Sequence, residues 1–184
     1  MSWLLSFVVA SSVSHGPAVA PIDAASLVHP TAVTSPGDLL AASSRRIRST
    51  ERHINMLLTD GVRRSKTFAD LVWRIHRTDL IVYVETSHDL AADTMGRLVL
   101  QGVAGGQRYL RVQVRPRLDR DQTIAVVAHE LHHAIEVADD RAVVDEKSLT
   151  DLYRRIGHIS NGARGFDTDG ARATGLRVRG ELIG

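Results

Sequence analysis

The chain has 184 residues, enough for one domain with a substantial core and too few for two. The hydrophobic share of 43% and charged share of 24% are typical of a globular protein, and a formal net charge of only +2 argues against a nucleic-acid partner. The chain has no cysteine, which excludes disulfides, thiolate metal sites and cysteine nucleophiles, so any transition-metal site must use histidines and carboxylates.

Residues 1–37 are predicted to be a signal peptide or a disordered tail and linker, with the folded domain spanning residues 38–184. The apolar run at 3–10 (WLLSFVVA) is too short to cross a bilayer, and the A-x-A pattern at 18–20 is typical of a secretory cleavage site. No Lys or Arg precedes the run, and Pro21 would follow the cut directly. The sequence therefore leaves export and cytoplasmic retention equally open, and it predicts no transmembrane segment.

The first predicted elements are helices. Apolar residues at helical spacing predict a helix over residues 39–58, with Gly61 as its stop. A second helix is predicted over residues 68–77 and would be capped by Thr67.

Strands follow. Residues 80–84 (LIVYV) have the β-branched composition of a buried strand. Residues 97–101 and 108–115 predict two more strands, joined as an antiparallel hairpin by a turn rich in glycine (Gly102, Gly105, Gly106).

Three helices complete the predicted order: a long one opening at Asp119 or Asp121, one over residues 148–156, and one after Phe166 that ends near Leu182. N-terminal helices, a small antiparallel sheet and C-terminal helices make an α+β fold.

The most informative segment is AHELHHAI, inside the long helix. His129 and His133 are four positions apart and share one helix face, so both imidazoles can reach one metal ion. Glu130 lies beside the first histidine and can reach a metal-bound water. The alternative, a polar stripe without a metal, would bury two imidazoles and a carboxylate without compensation. His132 points elsewhere on the helix and is expected at the surface or beside a ligand.

On His129, Glu130 and His133, in a helix that follows an antiparallel sheet, the chain resembles the zincin metallopeptidases, and more narrowly their gluzincin-like branch. The resemblance implies a zincin-like fold, Zn²⁺ as cofactor, a peptide or protein substrate, and Glu130 as the general base that activates a zinc-bound water. It also implies an edge strand that aligns the substrate, for which residues 108–115 are the candidate.

The resemblance leaves the third ligand open. Gluzincins take a carboxylate from a later helix, often in an E-x-x-A-[AD] context, and the segment FDTDGA has a similar shape, with Asp167 in place of Glu. Helix N-capping is the alternative interpretation of Asp167. The metzincin pattern would use Asp139, but Glu136 replaces the glycine that turns the chain there. Glu136 itself lies on the face of His129 and could be a ligand or accept a hydrogen bond from one. Further alternatives are Asp145, Glu146 and His158.

Tyr109 and Tyr153 are candidates for an oxyanion-stabilising hydroxyl, with ordinary packing as the alternative. Three hypotheses remain for the whole chain. It is an active zinc metallohydrolase that acts as a peptidase, a catalytically silent zinc-binding domain with a binding or regulatory role, or a metal-free domain in which the motif is accidental.

Overall fold

The computed structural model describes residues 45–159 and 165–184. The predicted signal peptide or tail, and the domain boundary at residue 38, lie outside these residues. Within the described ranges, no helix is both long enough and apolar enough to cross a membrane.

Two helices lie between the first strand of the main sheet and the others. Helix α1 spans Arg52–Arg64 and helix α2 spans Lys66–His76, while Ile47–Arg48 forms a short strand, β1. The prediction of a continuous helix over residues 39–58 was therefore wrong, because residues 47 and 48 form a strand. Residues 39–44 lie outside the described residues. Gly61 does not stop α1. It is buried inside the helix, where a Cβ atom would lie 3.0 Å from both Ile124 and Phe68, so close packing explains this glycine.

The cap of α2 also differs from the prediction. Ser65, not Thr67, is the N-cap, and its hydroxyl accepts a hydrogen bond from the amide of Phe68. Thr67 lies inside the first turn, where its hydroxyl donates to Glu181 at 2.6 Å. The last helix of the chain is thus held against the start of α2.

The main sheet contains β1, β2 (Leu80–Thr86), β3 (Gly96–Ala104) and β4 (Gln107–Val114), in the order β1-β2-β4-β3. The predicted antiparallel hairpin of β3 and β4 is confirmed. Its turn contains Gly105 and Gly106, whose φ values of 56° and 72° suit a two-residue turn that glycine forms without strain.

The sheet as a whole is mixed, so the predicted antiparallel sheet was wrong. Strand β4 pairs with β2 in parallel, and β2 pairs in parallel with β1. The candidate edge at residues 108–115 was wrong as well, because β4 lies between two strands. Its inward side chains Leu110, Val112 and Val114 are fully buried, which favours a central position. The two edge strands are the short β1 and the longer β3, which has a bulge between Leu100 and Gly102.

Helix α3 (Arg120–Asp139) is the central element. Asp119 caps it, as predicted, by accepting a hydrogen bond from the amide of Gln122 at 2.7 Å. The helix lies against β2, β3 and β4 on one side and against the last helix on the other. It is therefore buried on most of its surface, including the positions of His129, Glu130 and His133.

The remaining elements are α4 (Glu146–Ile156), the short strands β5 (His158–Ile159) and β6 (Phe166–Asp167), and α5 (Asp169–Ile183). Strands β5 and β6 pair antiparallel. Helix α4 begins two residues before the predicted start, since Asp145 and Ser148 cap each other's backbone amides. The described residues form five helices and a small mixed sheet, an α+β architecture.

Candidate metal centre

Helix α3 brings two imidazoles together. His129 and His133 are one turn apart, and their Nε2 atoms lie 3.2 Å from each other. Both side chains are buried, His129 against Gly175 of α5 and His133 against the ring of Tyr153 in α4. The helical spacing of the two residues therefore brings the two nitrogens within reach of one ion.

Asp167 reaches the same point from a distant part of the sequence. It ends β6, and its Oδ1 atom lies 3.4 Å from Nε2 of His129 and 3.7 Å from Nε2 of His133. The carboxylate does not cap α5, which excludes that interpretation: Thr168 is the N-cap and accepts from the amide of Ala171. The amide of Thr168 donates to Asp167 Oδ1 at 2.7 Å.

These three atoms have the spacing of metal ligands. In tetrahedral zinc coordination, ligand atoms about 2.0–2.2 Å from the ion lie roughly 3.4 Å from one another. The observed separations are 3.2, 3.4 and 3.7 Å. Each of the three residues is exposed by 2% or less. The donor set and its spacing therefore fit a zinc ion, and the group could hold a metal.

Glu130, on the same helix, lies beside His129, and its carboxyl group faces Gly96 at the start of β3. It is 1% exposed, and its Oε2 atom has no hydrogen-bond partner among the described residues. Burial raises the pKa of its carboxyl to about 8. A Cβ atom at Gly96 would lie 2.5 Å from Glu130 Oε1, so the carboxyl group occupies space that the glycine leaves. Such a buried, incompletely bonded carboxyl group is suited to exchange protons.

The two histidines have opposite pKa shifts. Burial lowers the pKa of His129 to about 3, with the neighbouring His133 adding to the effect. For His133, burial acts in the same direction, but the hydrogen bonds of Asp167 and Glu136 outweigh it and raise its pKa to about 9. For Asp167, burial alone would raise the pKa, but the hydrogen bond of His133 keeps it below its ordinary value. The carboxylates of Asp167 and Glu136 thus favour a positive charge beside them, which a bound cation would also supply.

The other candidate ligands lie elsewhere. Glu136 contacts Nδ1 of His133, not the Nε2 side where Asp167 lies. Asp139 is exposed by 73% and lies 3.7 Å from Arg74. Asp145 caps α4, and Glu146 and His158 are exposed. His132 is half-buried and faces Thr174 of α5, at 2.9 Å between Nδ1 and Oγ1.

The two tyrosines have different surroundings. Tyr153 is fully buried, its ring packs edge-on against His133 at 5.3 Å, and its hydroxyl donates to the backbone oxygen of His133. Tyr109 lies on the sheet face opposite to Leu110 and Val112, in a groove with Tyr83 and Arg111. Tyr109 therefore faces away from α3, and the packing interpretation fits Tyr153.

Sequence reasoning missed two residues of this region, Gly96 and Thr168. The pattern of Thr168 followed by a helical segment could have indicated an N-cap. No sequence signal points to Gly96, because its importance comes from a contact with a helix distant in the chain.

Comparison with known proteins found no matching family model, no matching curated protein and no matching solved structure.

Proposed function

We propose that this protein is a zinc-dependent metallohydrolase that acts as a peptidase, with zinc held by His129, His133 and Asp167 in a zincin-like domain. The observation that carries the proposal is the triangle of His129 Nε2, His133 Nε2 and Asp167 Oδ1, whose sides of 3.2–3.7 Å suit tetrahedral zinc. Nitrogen and oxygen donors without sulfur also suit zinc among the common divalent metals.

Each residue has a separate role in the proposed reaction. When bound, zinc supplies a Lewis acid that polarises a carbonyl group and lowers the pKa of a water molecule towards neutrality. Glu130 takes a proton at its carboxylate and returns it to the leaving amine. Its place beside the first histidine, and its Oε2 atom without a partner in the described part of the chain, support this assignment.

The edge strand supports a peptide as substrate. Strand β3 is hydrogen-bonded to β4 on one side, and among the described residues no strand pairs with its other side. Its first residue, Gly96, lies against Glu130. An extended peptide that paired with β3 would pass beside the carboxylate, and main-chain pairing would align it with little dependence on sequence.

A second candidate function is a catalytically silent zinc-binding domain. The burial of all three ligand residues favours it, because catalytic zinc sites keep a position open to substrate. Under this alternative, zinc stabilises the contact between α3 and the β6–α5 segment.

Metal content tests the proposal. We expect one equivalent of zinc in the wild-type protein and in the Asp139→Ala control, which removes an exposed carboxylate from the same helix. His133→Ala and Asp167→Ala should each lose the metal. Zinc retained by Asp167→Ala would assign the third ligand elsewhere, and a wild type that binds no zinc when zinc is supplied would refute the proposal.

Peptide hydrolysis separates the two candidates. Screening the zinc-loaded protein against a peptide library should detect cleavage, which Glu130→Gln should reduce by roughly 10²–10⁴-fold while zinc is retained. A zinc-loaded wild type with no cleavage, or with cleavage unchanged in Glu130→Gln, would favour the silent domain.

A further inference from the structure

Glu136 connects the two parts of the chain that form the candidate metal centre. It follows His133 by three positions on α3, and its Oε2 atom lies 2.7 Å from His133 Nδ1. Its other oxygen, Oε1, accepts a hydrogen bond of 2.6 Å from the hydroxyl of Thr168. Thr168 directly follows Asp167 and caps α5. One carboxylate thus contacts one histidine of the triad and the neighbour of the aspartate.

We propose that Glu136 is the positioning residue of this centre: it orients His133 towards the metal and holds, through Thr168, the backbone that presents Asp167. The inference rests on the proposed zinc site and assigns to it a residue that does not itself contact the metal.

The hydrogen bond to His133 decides which nitrogen is available to a metal. When Nδ1 donates its proton to a carboxylate, the lone pair of the neutral ring lies on Nε2. Nε2 is the atom that faces His129 and Asp167. The same hydrogen bond fixes the plane of the ring and makes the imidazole a stronger donor.

The hydrogen bond between Thr168 and Glu136 positions Asp167, the third residue of the candidate metal centre. Asp167 belongs to a strand of two residues and is joined directly to the N-cap of α5. Its carboxylate can meet the two imidazoles only while this junction stays against α3. The hydroxyl of Thr168 bonds to Glu136 and also accepts from the amide of Ala171, so it fixes the junction to α3 and starts α5.

Charge supports the same role. A zinc ion with two neutral histidines and one aspartate carries a net charge of +1, and an uncompensated charge is costly in a buried site. The carboxylate of Glu136, which contacts His133 directly, offsets this charge together with the carboxylate of Glu130.

The test is zinc affinity, measured by competition with a chelator, together with the absorption spectrum of the Co²⁺-loaded protein. Glu136→Ala should weaken zinc binding by roughly 10–100-fold and change the Co²⁺ spectrum, since ring orientation and donor strength both change. Glu136→Gln should be intermediate, because the amide oxygen can accept from Nδ1 but carries no charge. Asp139→Ala, on the same helix, is the matched control and should bind zinc like the wild type.

Variants of Thr168 provide a second, independent test of the proposal. Thr168→Val removes the hydroxyl that contacts Glu136 and should weaken zinc binding, whereas Thr168→Ser keeps it and should restore wild-type affinity. Circular dichroism of each variant establishes that it is folded.

The possible outcomes separate this inference from the proposed function. Wild-type affinity and an unchanged Co²⁺ spectrum in Glu136→Ala would overturn the inference and leave the zinc site standing. Weakened binding in Glu136→Ala, in a protein that cleaves no peptide, would support the inference and refute the peptidase. A wild type that binds neither metal would refute both.

Discussion

Gly96 matters at the scale of a single residue because it has no side chain. It begins the edge strand β3 and faces helix α3 at the turn that carries Glu130. A Cβ atom there would lie 2.5 Å from Glu130 Oε1 and 2.6 Å from Val126 Cγ1, closer than non-bonded atoms approach. The position of the proposed general base therefore depends on a residue with no polar group of its own.

We expect Gly96→Ala to lower the free energy of unfolding by about 1–3 kcal/mol, since an added methyl group overpacks this contact. The zinc content should stay unchanged, while any hydrolytic activity should fall as Glu130 moves. Urea unfolding, elemental analysis and a peptide-cleavage assay would measure these three quantities. Gly180→Ala is the control, since a Cβ atom on α5 at that position meets nothing within 4 Å. An equal loss of stability in both variants would contradict this explanation.

The side chain of Arg108 binds the C-terminal end of α3, the helix that carries the candidate metal centre. Its side chain is 3% exposed and forms two hydrogen bonds of 2.9 Å with the carboxylate of Asp79. The same guanidinium donates to backbone oxygens at and after the C-terminal end of α3, those of Val137, Ala138, Asp140 and Val143. It takes the place of the glycine that ends many helices, by satisfying carbonyl groups that the helix leaves unpaired.

Replacing Arg108 by Met should therefore destabilise the protein by about 3–5 kcal/mol, because Asp79 and the helix carbonyls lose a buried, charged partner. Chemical denaturation provides the measurement. Arg111→Met is the matched control on the same strand, since Arg111 is 42% exposed and its ion pair with Glu85 is long, at 3.6 Å. The control should change stability by less than about 1 kcal/mol. Similar losses in the two variants would show that Arg108 does not have this special role.

At the scale of the whole molecule, a network of ion pairs joins helices that are distant in sequence. Asp60 of α1 is 4% exposed, and its carboxylate bonds to Arg63 and Arg64 on its own helix and to Arg120 at the start of α3. Arg64 continues the network to Asp121 and to the backbone oxygen of Leu182 in α5. This network joins the C-terminal end of α1 and the C-terminal end of α5 to the first turn of α3.

Asp60 makes stability depend on acidity. The hydrogen bond that Arg120 donates to Asp60 lowers the pKa of this carboxyl group, and burial opposes that effect in part. Hydrogen bonds from Arg64 and Arg63 lower the pKa further, so it lies well below its ordinary value of 3.8. A lowered pKa in the folded state stabilises the protein at pH values above 3.8, and this contribution disappears as the pH falls below that value. We expect Asp60→Asn to be less stable than the wild type at neutral pH, with the difference narrowing in acid.

Thermal unfolding of both proteins as a function of pH would check this prediction. Asp151→Asn, which removes an exposed carboxylate paired with Lys147, should follow the wild-type curve closely. A difference between Asp60→Asn and the wild type that stayed constant from neutral pH down to strong acid would contradict the assignment.

Local interactions account for what the sequence predicted correctly. The cap at Asp119, the glycine turn between β3 and β4, and the shared face of His129 and His133 each depend on residues a few positions apart. Their geometry follows from backbone hydrogen bonding and helical periodicity, which do not require knowledge of the rest of the chain. The errors at β1 and at Gly61 arose where a distant contact overrode the local pattern.

The sequence by itself thus determined the α+β composition, the long central helix and the pair of histidines on it. Only the tertiary structure showed that β4 lies inside a mixed sheet and that β3 lies at an edge of it. It also showed that the carboxylate beside both imidazoles is that of Asp167, rather than that of Glu136 or Asp139. The physical reason is that strand order and the approach of β6 to α3 are set by packing between segments far apart in the chain. Periodicity along the sequence carries no information about which distant surfaces fit together.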